Sequence, residues 1–568
     1  MDMKKIYNYL LTASFVIWGL QVSAQKKYVD DVYADADIEV STGITYATNI
    51  DFLTSKFTNQ SAVINDLTAI KTALATGQAI PASHYNPFDT TTKVKVTDIK
   101  MDVYSAKMSV DTTKERPVII FLHTGNFLPP GINGSPMGYR NDSTAQYLCR
   151  QFAKKGYVAI SADYRLGWNP LAATVQERRG QLLNAVYRSI QDVKRCVMTV
   201  RSEALGGNMY RVDPSKIALY GEGSGAYIAV GYSTLDKYTE MELPKFTNPL
   251  NSKSYIDTNT VGRIDGSGGL LNLYGAAFAN AEVIATVSAG GALADTSWLE
   301  DGDAAMIALQ CIRDPFAPFD EGTVIVPTTN EDVVDVQGAN VYIMKAMALG
   351  NNDAFKDMPS DDIYTKIARE KYGKTYDYIY PAPRDKMTVN TNLEGLFAVD
   401  VAAGASVGQN QASPWQWWDP NSPAAKQVVA AGPPPVTAHI ASLQSNPDMS
   451  PEKGRRYMDT IQGYVCPRLA IVMGYYTTND FVSVNDVSKI SAKVYPNPSN
   501  GIFNISYDGI GSLNNVIVRD LNGRLMSVET TINSSDAQID ASNLSAGYYL
   551  IQLITDEGTA VQKIHVSK

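Results

Sequence analysis

Lys216–Tyr227 reads KIALYGEGSGAY: an apolar run, a glycine-rich turn, then a helix-like continuation. A hydroxyl at such a turn, here Ser224, attacks a carbonyl if a base takes its proton and an acid orients that base. The alternative for Ser224 is a helix-start residue capping backbone N–H groups. Downstream, AAMIALQCIRDPFAPFD (304–320) ends an apolar run in Arg313-Asp314-Pro315, where Asp314 offers a carboxylate or fills an Asp-Pro turn. Of four histidines, His84 precedes the apolar core pattern, His123 follows an early strand and His565 lies near the C-terminus. His439 alone completes the order Ser, Asp, His; a surface or helix-start role is its alternative.

These residues need a scaffold that brings distant stretches together. Lys93–Tyr104 (KVKVTDIKMDVY) alternates apolar and polar residues, as a half-buried strand does. Pro117–Leu122 (PVIIFL) and Tyr157–Ala162 (YVAISA) are short continuous apolar runs, the pattern of strands covered on both faces. Between Leu183 and Val200, apolar residues recur at three- and four-residue steps and predict a long helix. Further strands are expected over Lys216–Tyr220, Ala281–Val287 and Ala304–Leu309. Strands alternating with helices predict an α/β fold with a doubly wound, mostly parallel sheet over residues 94–475. The Gly-, Asn- and Thr-rich stretch Ser233–Ala279 is expected to be an insertion covering the site. Beyond a polar linker, 476–492, the stretch 493–568 carries short alternating strands and Gly/Asn turns, which predict a small all-β sandwich.

At 568 residues, with 45% hydrophobic and 19% charged residues, the chain has room for two or more folded units. A net charge of −9 and the lack of a dense basic run argue against nucleic acid as a partner. Lys4 and Lys5, the apolar run Leu10–Val22 and the small residues Val22-Ser23-Ala24 read as a signal peptide over 1–24. Residues 25–93 are polar, with helical patterning at Leu67–Leu74, and form an N-terminal extension. Cys149, Cys196, Cys311 and Cys466 fit either disulfides in an oxidising compartment or buried thiols; their spacing does not suit zinc. The pairs Asp301/Asp303 and Asp361/Asp362 lack a calcium-loop pattern and read as solvated charge, so no metal or cofactor is expected. Trp415, Trp417 and Trp418 fit a core, stacking on sugar rings or the lining of an apolar substrate groove.

From about Val94 to Asp320 the ordered motifs resemble the carboxylesterases and other α/β-hydrolases. The matching stretches are His123-Thr124-Gly125-Asn126-Phe127, Asp163-Tyr164-Arg165-Leu166-Gly167, Asp213-Pro214-Ser215-Lys216-Ile217 and the GEGSG turn. The resemblance implies a nucleophile elbow over Gly221, Gly223 and Gly225 and an oxyanion loop presenting the amides of Gly125 and Asn126, with Thr124 and Asn126 replacing glycines. Set against the family's Gly-Glu pair, Gly223 takes the serine's place; shifted by one, Ser224 takes it and Glu222 fills a position meant for a small residue. Ala304–Asp320 resembles the turn after the penultimate sheet strand that carries the family's triad acid, which implies Asp314 as the acid; where the family's histidine is expected, the chain reads Asn392-Leu393-Glu394-Gly395-Leu396. Two functions follow: a secreted serine esterase acting on an extracellular ester, such as an acylated glycan or lipid, or an inactive hydrolase-fold protein binding a ligand at the cell surface. KVYPNPSNG, VRDLNGR, IDASNLSAGYYLIQL and the terminal VQKIHVSK resemble the type A sorting domain of type IX secretion. That likeness implies passage across the outer membrane by way of the periplasm, with the secretion machinery as partner.

Overall fold

The computed structural model describes residues 25–325, 331–360, 362–377, 386–391, 393–401, 412–481, 485–486, 492–507, 512–520, 524–555 and 558–568. The expected signal peptide, Asp361, Asn392 and most of the linker lie outside these residues. Two compact units form: residues up to Met358 together with Ile363–Thr478, and Asn479–Lys568 together with Pro359–Asp362.

The first unit is built on an eight-stranded sheet, β1 (Ile38–Ile50), β2 (Val96–Ala106), β3 (Arg116–Leu122), β4 (Val158–Ala162), β5 (Val212–Glu222), β6 (Ala285–Ala289), β7 (Ala305–Cys311) and β8 (Leu396–Val399). Their spatial order is β1-β2-β4-β3-β5-β6-β7-β8. The pairs from β4 to β8 are parallel, and β1 and β2 are antiparallel additions at one edge. Strands β3, β4, β6 and β7 are buried along their whole length, which accounts for their unbroken apolar sequences. The stretch 25–93 thus does more than precede the sheet, because it supplies β1, whose polar residues suit an edge strand with one solvated face.

Helix α1 (Ser143–Lys154) joins β3 to β4. Helix α2 (Val175–Leu205) is longer than the periodic segment, starting at a capping box between Thr174 and Glu177, and it returns the chain past β3 to β5. The winding therefore reverses between β3 and β5. Ligand crevices in such sheets form beyond the carboxyl ends of the strands at that reversal. There lie His123–Phe127, after β3, and Gly223, between β5 and helix α3 (Ser224–Thr234). Among the described residues no helix is long and apolar enough to cross a membrane, and no cluster of His, Cys, Asp or Glu could hold a metal ion. All four cysteines are buried and free.

In the second unit, β9 (Ala492–Tyr495), β10 (Ile502–Tyr507), β12 (Glu529–Ile532) and β13 (Asp536–Asp540) form one sheet in the order β9-β10-β13-β12. Strand β11 (Leu513–Asp520), β14 (Gly547–Thr555), β15 (Gly558–Val566) and the short strand Asn485–Asp486 form the other. Alternate residues such as Phe503, Ile505, Val518, Ile551 and Leu553 share one buried core, the arrangement of a sandwich.

Candidate active site

Gly223 stands at the apex between β5 and α3 with φ 54° and ψ −116°, backbone that a residue with a side chain adopts only under strain. Its N–H donates to Ala289 O (2.9 Å), which ties the apex to the end of β6. The turn is tight because two further glycines let backbone approach backbone. A Cβ on Gly221 would lie 2.5 Å from Ala226 N, and one on Gly225 would lie 2.7 Å from His123 O. A Cβ on Gly223 would collide with the Thr124 hydroxyl and lie 3.0 Å from Thr124 Cβ. The apex is a glycine, and a threonine from the neighbouring loop fills the adjoining space.

Ser224 is the first residue of α3 and is buried, although it lines the cavity described below. The Tyr164 hydroxyl donates to His123 O (2.8 Å), so the Ser224 hydroxyl, 3.1 Å away, donates to the phenolic oxygen. Tyr164 stacks on His123 with ring centroids 4.4 Å apart, and burial pushes its phenol well above the ordinary range, so it is no base for Ser224. The neighbouring Arg165 guanidinium and backbone N–H bind the buried carboxylate of Asp192 on α2, which anchors the loop carrying Tyr164.

Asp314 follows β7 and is buried at the cavity wall. Its Oδ1 accepts the amides of Phe316 (2.8 Å) and Ala317 (3.1 Å). Burial nonetheless pushes its carboxyl up to about 7, with those two amides opposing the shift. His439 sits in the short helix Ala438–Ser442, where its Nδ1 accepts the Trp418 indole N–H (3.0 Å). In the neutral ring that leaves the proton on Nε2, the reverse of a tautomer whose Nε2 takes a serine proton. Among the described residues, no hydrogen bond joins Ser224, His439 and Asp314, so the expected triad is not assembled.

The oxyanion loop is present in shape. Gly125, Asn126 and Phe127 all have left-handed φ (120°, 54° and 58°), and Trp168 Nε1 fixes the turn by donating to Asn126 O (2.8 Å). Gly125 and Asn126 line the same cavity as Ser224 and Asp314.

Beneath the apex lies a contact that the sequence did not reveal. Glu222 Oε1 accepts the Trp415 indole N–H (2.7 Å) and the Gln416 amide (2.8 Å), while Oε2 is buried without a partner among the described residues. Burial, with the charge of nearby Asp142 adding to it, pushes Glu222 up to about 8. Trp415, Trp417 and Trp418 are all buried, and Trp418 also lines the cavity. The cavity has a volume of about 610 Å³, within the size of small-molecule sites.

Residues 101–275 match the family model described as BD-FAE, and residues 493–567 match the secretion system C-terminal sorting domain. No curated protein matches the chain. Among solved structures, Thermogutta terrifontis esterase 2 phosphorylated by paraoxon is similar at 18% identity and TM-score 0.24, covering 39% of this chain and 69% of its own. The propionate-bound form of the Thermogutta terrifontis enzyme Est2 is similar at 16% identity and TM-score 0.24, covering 39% and 70%. Similarities so distant say nothing of this chain's chemistry. With the doubly wound sheet, the first unit has the α/β-hydrolase fold and is similar over residues 101–275 to the BD-FAE model, and the matched stretch 493–567 is a sorting domain that implies export by type IX secretion.

Proposed function

We propose that the α/β domain is a ligand-binding module that has lost serine-triad hydrolysis and works at the cell surface or outside the cell. The observation that carries this reading is the glycine at the elbow apex, with Thr124 occupying the space beside it. Glycine offers no nucleophile, and the hydroxyl of the next residue, Ser224, is tied to a tyrosine rather than to a base. The oxyanion loop remains available to bind a carbonyl, since that needs only amides.

The second reading, a serine esterase with Ser224 as nucleophile, Asp314 and His439 as acid and base, and Gly125 and Asn126 as oxyanion donors, draws on the burial of Ser224 and Asp314 at one cavity. A fluorophosphonate probe separates the two. No labelling of the purified protein and no turnover of short-chain aryl esters above background are expected. Labelling that disappears in Ser224→Ala would establish the esterase instead.

Export is tested by deletion. Removing Lys493–Lys568 is expected to leave the protein in the periplasm, with surface and medium fractions falling at least about tenfold by immunoblot. Undiminished surface delivery would defeat the sorting role.

A further inference from the structure

The cavity lining is apolar and polar in parts. Helix α2 presents Leu182, Leu183, Val186 and Ile190 to it, and Phe246 and Trp298, with ring centroids 5.3 Å apart, add further apolar lining. Amide and hydroxyl groups also line it: Asn133, Ser135, Gln416 and Asn446. Asn446 Nδ2 donates to Gln416 O (3.0 Å), and Asn133 Oδ1 accepts the Ser135 N–H (2.8 Å), so these groups are held as two pairs. The oxyanion loop lines it too, as does Asp314, whose Oδ2 has no hydrogen-bond partner among the described residues and faces Gly290. The described residues lining the cavity include no lysine, arginine or histidine.

Resting on the binding reading above, we infer that this cavity takes an uncharged single-chain acyl ester or amide. Its carbonyl lies at the Gly125 and Asn126 amides beside Asp314, its hydroxylated head at Asn133 and Gln416, and its chain along α2. An extended apolar wall rewards each methylene it covers, which a short acyl group cannot exploit. A phosphate, sulfate or carboxylate head would be buried beside a carboxyl group with no cation to pair with it. Because burial raises Asp314 to about 7, the group keeps its proton below neutral pH and donates a hydrogen bond to a carbonyl oxygen.

The test uses the full chain and its own tryptophans, since Trp168, Trp298 and Trp418 line the cavity. Titration with 1-decanoylglycerol below its micellar concentration is expected to give a saturable fluorescence change with the ester recovered intact. Monoacetin is expected to bind at least about a hundredfold more weakly, and decyl sulfate at least about tenfold more weakly. Val186→Glu is expected to weaken decanoylglycerol at least about tenfold; if it does not fold, Val186→Trp, which fills the same wall, serves in its place. Absence of decanoylglycerol binding, or equal binding of either control, overturns the assignment of ligand and leaves the binding module standing. Release of decanoate would instead overturn the non-hydrolytic reading itself.

Discussion

Gly223→Ser, the substitution that would place a hydroxyl at the elbow apex, is expected to destabilise the protein by roughly 2–6 kcal/mol and to produce no esterase. The φ of 54° and ψ of −116° at this position cost a residue with a side chain about 1–3 kcal/mol. The new Cβ also meets Thr124, a β-branched side chain with little rotamer freedom, and such overpacking adds about 1–3 kcal/mol. The two terms separate in a double-mutant cycle. Thr124→Gly combined with Gly223→Ser should recover about 1–3 kcal/mol relative to the sum of the single changes, because only the collision involves both residues. Gly207→Ala is the control: nothing lies within 4 Å of its Cβ position, and stability should stay within about 0.5 kcal/mol. Urea unfolding followed by circular dichroism measures all four. Additivity of the two substitutions would mean that Thr124 does not occupy the apex space, and the account of a filled, vacated elbow would fail.

How much of this site could be read from the sequence depended on whether the signal was local. Strands β3 and β7 were legible because burial on both faces leaves an uninterrupted apolar run. The glycines at 221, 223 and 225 were legible because their reason is a single turn, but the sequence left two registers open, with Gly223 or Ser224 at the apex, and only the fold places Gly223 there. Strand β1, with the sequence IEVSTGITYATNI, was not legible: one edge of it faces solvent, and its polar residues hide the alternation. Long-range pairings were hidden for another reason. The hydrogen bonds of Tyr164 to Ser224, of Trp418 to His439 and of Trp415 to Glu222 join residues far apart in sequence, and no spacing encodes them. Chain order alone nominated His439. The ring's actual partner is an indole N–H, which only the fold could reveal.

Stability should fall as pH rises from about 5 to 8.5, and Glu222→Gln should remove a large part of that slope. Glu222 ionises near 4.5 in the unfolded chain and near 8 when folded, and Asp314 near 3.8 and near 7. Between those values the folded state holds protons that the unfolded state has lost, so stability decreases with pH. The stabilising contribution is complete below the unfolded values and is gone once pH passes the folded ones. At about 1.36 kcal/mol per unit, each carboxyl accounts for a loss on the order of 4 kcal/mol across its window. The other shifts do not offset this loss. Asp31, Asp111 and Asp295 are held low by lysine and threonine or serine partners, and their contribution disappears only as pH falls below about 4. Glutamine at 222 is neutral at every pH, and its carbonyl can accept the same Trp415 and Gln416 donors that Oε1 now accepts. The variant should therefore be less pH-dependent than the parent and more stable than it at pH 8.5. Asp314→Asn should flatten the lower part of the same curve, between about pH 4 and 7. Urea midpoints taken at half-unit pH steps decide the matter: a parent curve that is level from pH 5 to 8.5, or a Glu222→Gln curve parallel to the parent's, would show that the carboxyl beneath the apex is ionised in the native protein.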